Sequence, residues 1–462
     1  MTRKQNAKLW GGRFRKKIDP RFEKFSASLC WDIRLLPYDL EIDAVHTQAL
    51  QKCGVLTAGE AKRLLAAIRA LQKKASAGTW KSSAAFEDIH SAIQAELAKR
   101  VGSLADKLHT ARSRNDLVSQ SMRLYCKEHA GIILGHIARL QKEIVRKAER
   151  YEHTLVPGMT HMQNAQVLSQ AHIFLAYTEM LDRAKRRLEA ALPFFDTFVL
   201  GSGALAGVTF ALDREWMARK LGLSEISNNS YDVAGDRDFV VNALSGVVFT
   251  GLELSRIAED LLIGQTKGFS LVDIDESFCT GSSMMPQKKN ADFLELTRGA
   301  AGIFTGNFVG MLTTLKGLPT SYNRDLQWDK RFLFDSIETC EDILDIFTRM
   351  FATLRINEKR AAQLLNDASL YATDLADYLA RKGVAFKEAH AQVGRLVSFS
   401  EQEGVPIQRI GLDILKKFAP AVKGDVYGLF DAAHSVGQKR TSGSTRPSEV
   451  RKQIAAWKKK FK

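Results

Sequence analysis

Four polar stretches concentrate the residue types that do chemistry: HTARSRND at 109–116, PGMTHMQ at 157–163, GSSMMPQKKN at 281–290 and YNRDLQWDK at 322–330. The third carries the most information. Gly281, Ser282 and Ser283 predict a flexible loop, closed by Pro286 before the helix that follows. Lys288, Lys289 and Asn290 then place positive charge and amide donors beside a serine hydroxyl. A hydroxyl acts as a base only where neighbouring cations and N–H groups stabilise its alkoxide. Spacing alone equally allows a basic surface loop that caps a helix.

His161 follows Pro157-Gly158 and Thr160, at the expected start of a long helix, where capping or packing competes with chemistry. Glu295 lies five residues beyond Asn290 and points inward if its helix begins near the proline. Its plain role is a first-turn acid favoured by the helix dipole. If it meets His161, the carboxylate orients the imidazole and raises its pKa, a general acid/base arrangement. In the first stretch Arg112, Ser113, Arg114, Asn115 and Asp116 open a long helix, with Ser113 or Asn115 as N-cap. Arginine there serves either as a solvated charge or as a two-point grip on a carboxylate.

The elements that position these residues are helical. The nine prolines leave 38–156, 194–285 and 320–405 empty, and proline breaks helix interiors. Val118, Met122, Tyr125, His129, Ile133, Ile137, Leu140 and Ile144 mark one face of a long helix. Val240, Leu244, Val247, Gly251, Leu254, Ala258 and Leu261 approach a heptad seam. Residues 161–192 and 298–316 read in the same way. Helices of this length predict a bundle that packs against copies of itself. Boundaries fall near 112 and 362, giving a first segment 1–112 of shorter helices with Gly and Ser interruptions, a long-helix segment 113–362, and a last segment 363–462. No strand-rich stretch or repeat stands out, and the fold class is mainly α.

Composition agrees. The chain has 462 residues, 45% hydrophobic and 26% charged, which excludes disorder and small disulfide-stapled scaffolds. Length alone suggests about three domains or one elongated domain with lobes. Cys30, Cys53, Cys126, Cys279 and Cys340 form no C-x-x-C pair, so neither a metal site nor a disulfide framework is expected, and a reducing compartment is. The start, MTRKQNAKLWGGRF, lacks an apolar signal core, and no run of 18 apolar residues predicts a membrane span. The expected location is cytoplasmic. The net charge of +15 is spread out, with one dense run, KKKFK, at the end. That distribution suits attraction of a small polyanionic substrate better than a nucleic-acid surface.

At these residues the chain resembles the argininosuccinate lyase family of the fumarase/aspartase superfamily. GSSMMPQKKN is similar to the superfamily pattern G-S-S-x-M-P-x-K-x-N. LWGGRF at 9–14, HTARSRND, LKGLPTSYNRDLQWDK at 315–330 and ATDLADYLARKGVAFKEAH at 372–390 resemble argininosuccinate lyases in particular, and the likeness spans essentially the whole chain. It implies a three-domain fold whose central bundle forms a homotetramer core, with each active site built from loops of three subunits. It implies cleavage of argininosuccinate to arginine and fumarate through a carbanion, with no metal or organic cofactor. By motif, Ser283 is the base that removes the Cβ proton, and His161, paired with Glu295, the acid/base partner near the leaving group. Ser28 of FSASLCWD, Ser113, Arg114, Asn115, Thr160, Lys288, Asn290, Tyr322, Gln327 and Lys330 are the implied substrate ligands.

The chain departs from the family pattern at Ala111 (usually Gly), Leu117 (Gln), Asn164 (Arg), Val167 (Pro), Ala291 (Pro) and Trp328 (Glu). The implied catalytic positions are intact, but Asn164 and Trp328 flank substrate positions. Two alternatives stand beside the leading reading: a C–N lyase for another N-substituted aspartate, and a non-catalytic, crystallin-like structural relative.

Overall fold

The computed structural model describes residues 16–81 and 86–461; the LWGGRF stretch and the serines at 82 and 83 lie outside them. The fold is mainly α. Five short to medium helices open it: α1 (Pro20–Ser26), α2 (Leu29–Asp32), α3 (Leu36–Lys52), α4 (Ala58–Ser76) and α5 (Ile89–Val101). Two long ones follow, α6 (Arg114–Arg150) and α7 (Gln170–Phe195). After the short α8 (Arg214–Lys220) and α9 (Ser230–Val233) come the long α10 (Asp238–Gln265), α11 (Asp292–Leu315) and α12 (Asp329–Thr353). The last segment holds α13 (Glu358–Leu364), α14 (Ala372–Arg381), α15 (Phe386–Glu403), α16 (Leu412–Phe418), α17 (Ala432–Gly437) and α18 (Pro447–Lys460).

The long helices occupy the proline-poor stretches, as expected, and Pro193 sits in the last turn of α7. Contacts divide the chain into two units, Met1–Leu134, Lys185–Thr250 and Ala300–Glu341 in the first and Gly135–Ala184, Gly251–Gly299 and Asp342–Lys462 in the second. Each of the five long helices supplies residues to both.

The predicted apolar faces are buried. On α6 every position from Val118 to Ile144 named above is buried except the half-buried His129, and on α10 the whole seam from Val240 to Leu261 is buried. These faces therefore pack within the chain. Apolar side chains of α11 are left exposed on more than one side: Leu296, Ile303, Val309 and Leu312 are 71%, 61%, 52% and 42% exposed. The centre of α10 is apolar and long enough to cross a bilayer, yet 56% of it is buried inside the chain. Its flank also carries a Glu253–Arg256 ion pair at 3.0 Å and Asp260, which accepts the Tyr177 hydroxyl proton at 3.1 Å. These are traits of a core helix.

Strands are short and paired in twos. In the first unit β3 (Thr197–Phe198) lies parallel to β4 (Glu225–Ile226). In the second, β1 (Leu155–Thr160) and β2 (Gln163–Ser169) form an antiparallel hairpin, β5 (Val272–Asp273) pairs with β8 (Arg355–Ile356), and β6 (Thr280–Gly281) with β7 (Lys289–Asn290). The β1–β2 hairpin replaces the helical start expected at 161, and α7 begins only at Gln170. Likewise α11 begins at Asp292 rather than near Pro286, so the GSSMMPQKKN stretch is a hairpin loop.

Candidate active site

In the first unit, the start of α6 is built by its own sequence. Ser113 Oγ accepts the Asn115 N–H at 3.2 Å while Asp116 Oδ1 accepts the Ser113 N–H at 2.9 Å, a reciprocal cap. Asp116 Oδ2 also accepts the Gly203 N–H at 2.9 Å and the Gly201 N–H at 3.2 Å. The Ser113 hydroxyl is thus a helix cap, and the next two residues, Arg114 and Asn115, are presented from a rigid end. Ala111 just before it holds a left-handed φ of 58°, where a glycine would fit more easily.

Ser28, Arg114, Tyr322, Gln327 and Lys330 line one small cleft with Asp32, Asp88, His90 and Arg237. Each contributor is braced. Ser28 Oγ donates to Asp32 Oδ2 at 2.5 Å, and its backbone N–H to the Glu87 carbonyl at 2.7 Å. The Arg114 guanidinium faces Asp88 at 3.0 Å and Glu87 at 3.5 Å. The buried Lys330 ammonium lies 3.3 Å from Asp329 and 3.9 Å from Asp32, while Arg237 closes on the other Asp329 oxygen at 2.6 Å. His90 pairs with Asp39, whose second oxygen takes the Ser121 hydroxyl. Gln327 Nε2 donates to the Ser26 carbonyl at 3.0 Å. Tyr322 follows Ser321, which has a φ of 72°.

Charge states follow from this packing. Burial pushes the Asp32 carboxyl up to about 6, outweighing the pull of Lys330. Burial works against the charge on Lys330 and on His90, but Asp329 and Asp32 hold the ammonium above its usual value, and Asp39 and Asp88 do the same for the imidazolium. Asp88 is held low despite burial by His90 and Arg114. The cleft therefore presents a Gln327 Oε1 and a Ser28 Oγ that accept no hydrogen bond among the described residues, and cations balanced from behind by acids.

In the second unit, His161 and Met162 are the two central residues of the β1–β2 turn, both left-handed with φ of 53° and 60°. Two-residue hairpins demand such angles and normally recruit Asn or Gly for them. Two bulky residues here store strain at an exposed tip, a usual mark of a functional site. Thr160 ends β1 beside it and is also exposed. The departing residue Asn164 donates to Asp367 at 2.7 Å, and Val167 is buried against Leu370, Tyr371 and Val436.

The loop between β6 and β7 presents Ser283 at an exposed tip. Its stem is held by Thr280 donating to Asp292 and by a Lys289–Asp273 ion pair at 3.0 Å. Ser282 Oγ accepts the N–H groups of Met284 and Met285, at 3.2 and 3.0 Å, tightening the turn. Lys288, Asn290 and Glu295 line a cleft of about 870 Å³ with Gln265, Asp273 and Arg355. Of the two loop lysines, Lys289 is paired, whereas Lys288 makes no ion pair among the described residues. Glu295 on α11 is exposed rather than inward, because the helix starts later than expected. Within one chain, Glu295 forms no bond with His161, and neither His161 nor Ser283 lines the cleft that holds Glu295.

Asp32, Asp88, His90 and Arg237, which line the cleft, and Asp329, which pairs with its cations, are residues that motif reading passed over. Asp32, four residues after Ser28, and Asp329, adjacent to Lys330, carried a faint signal; Arg237 carried none.

A family model described as lyase matches residues 12–306, and one described as argininosuccinate lyase C-terminal matches residues 369–437. The chain is 41% identical to an argininosuccinate lyase of Desulforudis audaxviator over 98% of this chain and 99% of that one. It is 42% identical to one of Listeria monocytogenes serovar 1/2a over 96% and 97%. Among solved structures, an EDDS lyase variant with bound fumarate shares 25% identity with a TM-score of 0.83, covering 97% of this chain and 91% of that one. A class II fumarase from Schistosoma mansoni, at 14% identity and TM-score 0.77 over 89% and 93%, has the same fold.

Proposed function

The chain belongs to the argininosuccinate lyase family, and from that premise we propose that it cleaves the C–N bond of argininosuccinate to give arginine and fumarate. The observation that carries the reading is the first-unit cleft. There the Ser28, Tyr322, Gln327 and Lys330 that the family motifs mark as ligands come together from segments about 300 residues apart.

In this reading Ser283 removes the Cβ proton of the succinyl half. The electron pair spreads into the adjacent carboxylate as an aci-carboxylate, and then expels the guanidino nitrogen as the C–N bond breaks. Lys288, Asn290 and Thr160 stabilise the developing charge, and the unpaired Lys288 is suited to that task. His161, oriented by Glu295, delivers the proton that lets arginine leave. Ser28, Arg114, Asn115, Tyr322, Gln327 and Lys330 hold the substrate, with Ser113 fixing the helix end that carries two of them.

The same reading includes a cytoplasmic homotetramer with sites shared between subunits, organised as segments 1–112, 113–362 and 363–462, without metal, organic cofactor, nucleic acid or membrane. Two features support shared sites: the exposed apolar side chains of α11, and the exposure of Ser283, His161 and Glu295 on single-chain surfaces. The test is fumarate release, followed by ultraviolet absorbance, from purified protein given argininosuccinate, with N-succinyl amines, adenylosuccinate and aspartate beside it. Release from argininosuccinate is expected. Release only from another substrate moves the specificity, and release from none overturns the reading.

A further inference from the structure

Trp328 departs from the family pattern and sits one residue past Gln327, at the end of the 3-10 turn Arg324–Trp328. Its ring meets Phe25 edge-on at 5.9 Å and Trp31 at 6.0 Å. Those two partners bracket Ser28. The same two segments are stitched by polar bonds: the Ser26 carbonyl accepts from both Gln327 Nε2 at 3.0 Å and Arg324 Nη2 at 3.1 Å. Arg324 Nη2 also reaches Glu87 at 2.7 Å, whose carbonyl holds the Ser28 N–H.

This cluster is not ordinary core. Phe25 is 68% exposed, and α1, which carries it, buries none of its residues. An aromatic contact at such a surface does little for folding, but it restricts how the 25–31 segment lies on the 324–328 turn. Each segment supplies a substrate ligand, so their relative position sets the spacing between Ser28 and Gln327. Hydrogen bonds to a single carbonyl permit pivoting about that oxygen; a ring held against residues that flank Ser28 on both sides in sequence does not.

We propose that Trp328 is a positioning residue, which clamps the α1–α2 segment onto the Gln327 turn and so fixes Ser28 and Gln327 at substrate-binding distance. The proposal rests on the lyase reading for the roles of those two ligands. Groups that only hold a substrate in place bind ground and transition states alike. Loosening them therefore raises KM and leaves kcat nearly unchanged.

The experiment compares Trp328→Ala, Trp328→Phe, Phe25→Ala and the double variant Phe25→Ala/Trp328→Ala, measuring kcat and KM for argininosuccinate. Tryptic cleavage after Arg21 and Lys24, the basic residues of α1, is read in parallel by mass spectrometry. Trp328→Ala is expected to raise KM roughly tenfold, the scale of aromatic-pair energies, with kcat within about twofold. Trp328→Phe should recover most of that loss, and the double variant should be no worse than Trp328→Ala. Cleavage within α1 should accelerate in Trp328→Ala. An unchanged KM and an unchanged tryptic rate would overturn the clamp, as would an equal fall of kcat in the Ala and Phe variants. The tryptic readout needs no turnover. An inactive wild type therefore defeats the lyase reading, while the α1 cleavage rates still judge the clamp.

Discussion

Gly235 offers a severe test of how the Tyr322 ligand is placed. A Cβ built on this glycine would lie 2.3 Å from the Ser321 carbonyl oxygen, 2.4 Å from its carbon and 2.9 Å from its Cα. Ordinary contact begins at 3.4 Å, so relief needs a shift of 3.4 − 2.3, or 1.1 Å. All three obstructing atoms are backbone, so no rotamer change can supply that shift. Ser321 is itself left-handed, and the residue that must move with it is Tyr322. Overpacking of this kind costs about 1–3 kcal/mol of stability. A displacement of about 1 Å at a ligand costs roughly a hundredfold in rate. We expect Gly235→Ala to fold, to melt a few degrees lower, and to lose on the order of a hundredfold in kcat/KM for fumarate release. Gly246→Ala is the control. Its Cβ would meet the far end of the Leu188 side chain at 2.7 Å, a group that can swing aside. That variant should lose stability only. A Gly235→Ala enzyme with kcat/KM within about twofold of wild type would refute the reasoning, because Tyr322 would then tolerate the shift.

Four further predictions follow from the site and its supports. Asp32 has its folded pKa raised to about 6 from 3.8, so the folded state binds more protons between those values and stability falls as pH rises through that window. Asp32→Asn should remove that slope, melting higher relative to wild type at pH 7 than at pH 4, while weakening substrate binding through the loss of the Ser28 brace; parallel slopes in the two proteins would sink the assignment. Ala111→Gly should stabilise the chain by about 1 kcal/mol in denaturant titrations, since it relieves a left-handed alanine. Ser283→Ala should abolish turnover and leave the oligomer intact by size-exclusion chromatography; full activity would remove Ser283 as base. Arg114→Ala should lower kcat/KM sharply, and an unchanged value would reduce the RSRND stretch to a helix cap.

What the sequence disclosed, and what it hid, divides along physical lines. The inner faces of α6 and α10 were legible because apolar spacing and the absence of proline act locally, along one helix. The hairpin at 155–169 was not. Its turn uses His161 and Met162 in a conformation their side chains disfavour, so composition pointed away from the structure that tertiary packing imposes. The pattern also marked apolar faces without saying what covers them. The α10 seam is covered inside the chain, whereas Leu296, Ile303, Val309 and Leu312 of α11 lie exposed. At the site, motif reading found the groups that meet solvent or substrate, whose chemical types are conspicuous. It passed over Asp32, Asp88 and Asp329, because an acid's value here depends on being buried behind a particular ligand. Each supports one candidate ligand: Asp32 accepts a hydrogen bond from the Ser28 hydroxyl, Asp88 faces Arg114, and Asp329 stands between Lys330 and Arg237. Unpaired, a buried ammonium or guanidinium would be too costly to keep charged at a site that must also bind carboxylates. Paired from behind, the same cations keep their charge and a fixed direction, which is the state a polyanionic substrate requires. If the proposed reading holds, the acids belong to substrate recognition as fully as the residues the motifs name, although none of the three was among the expected ligands.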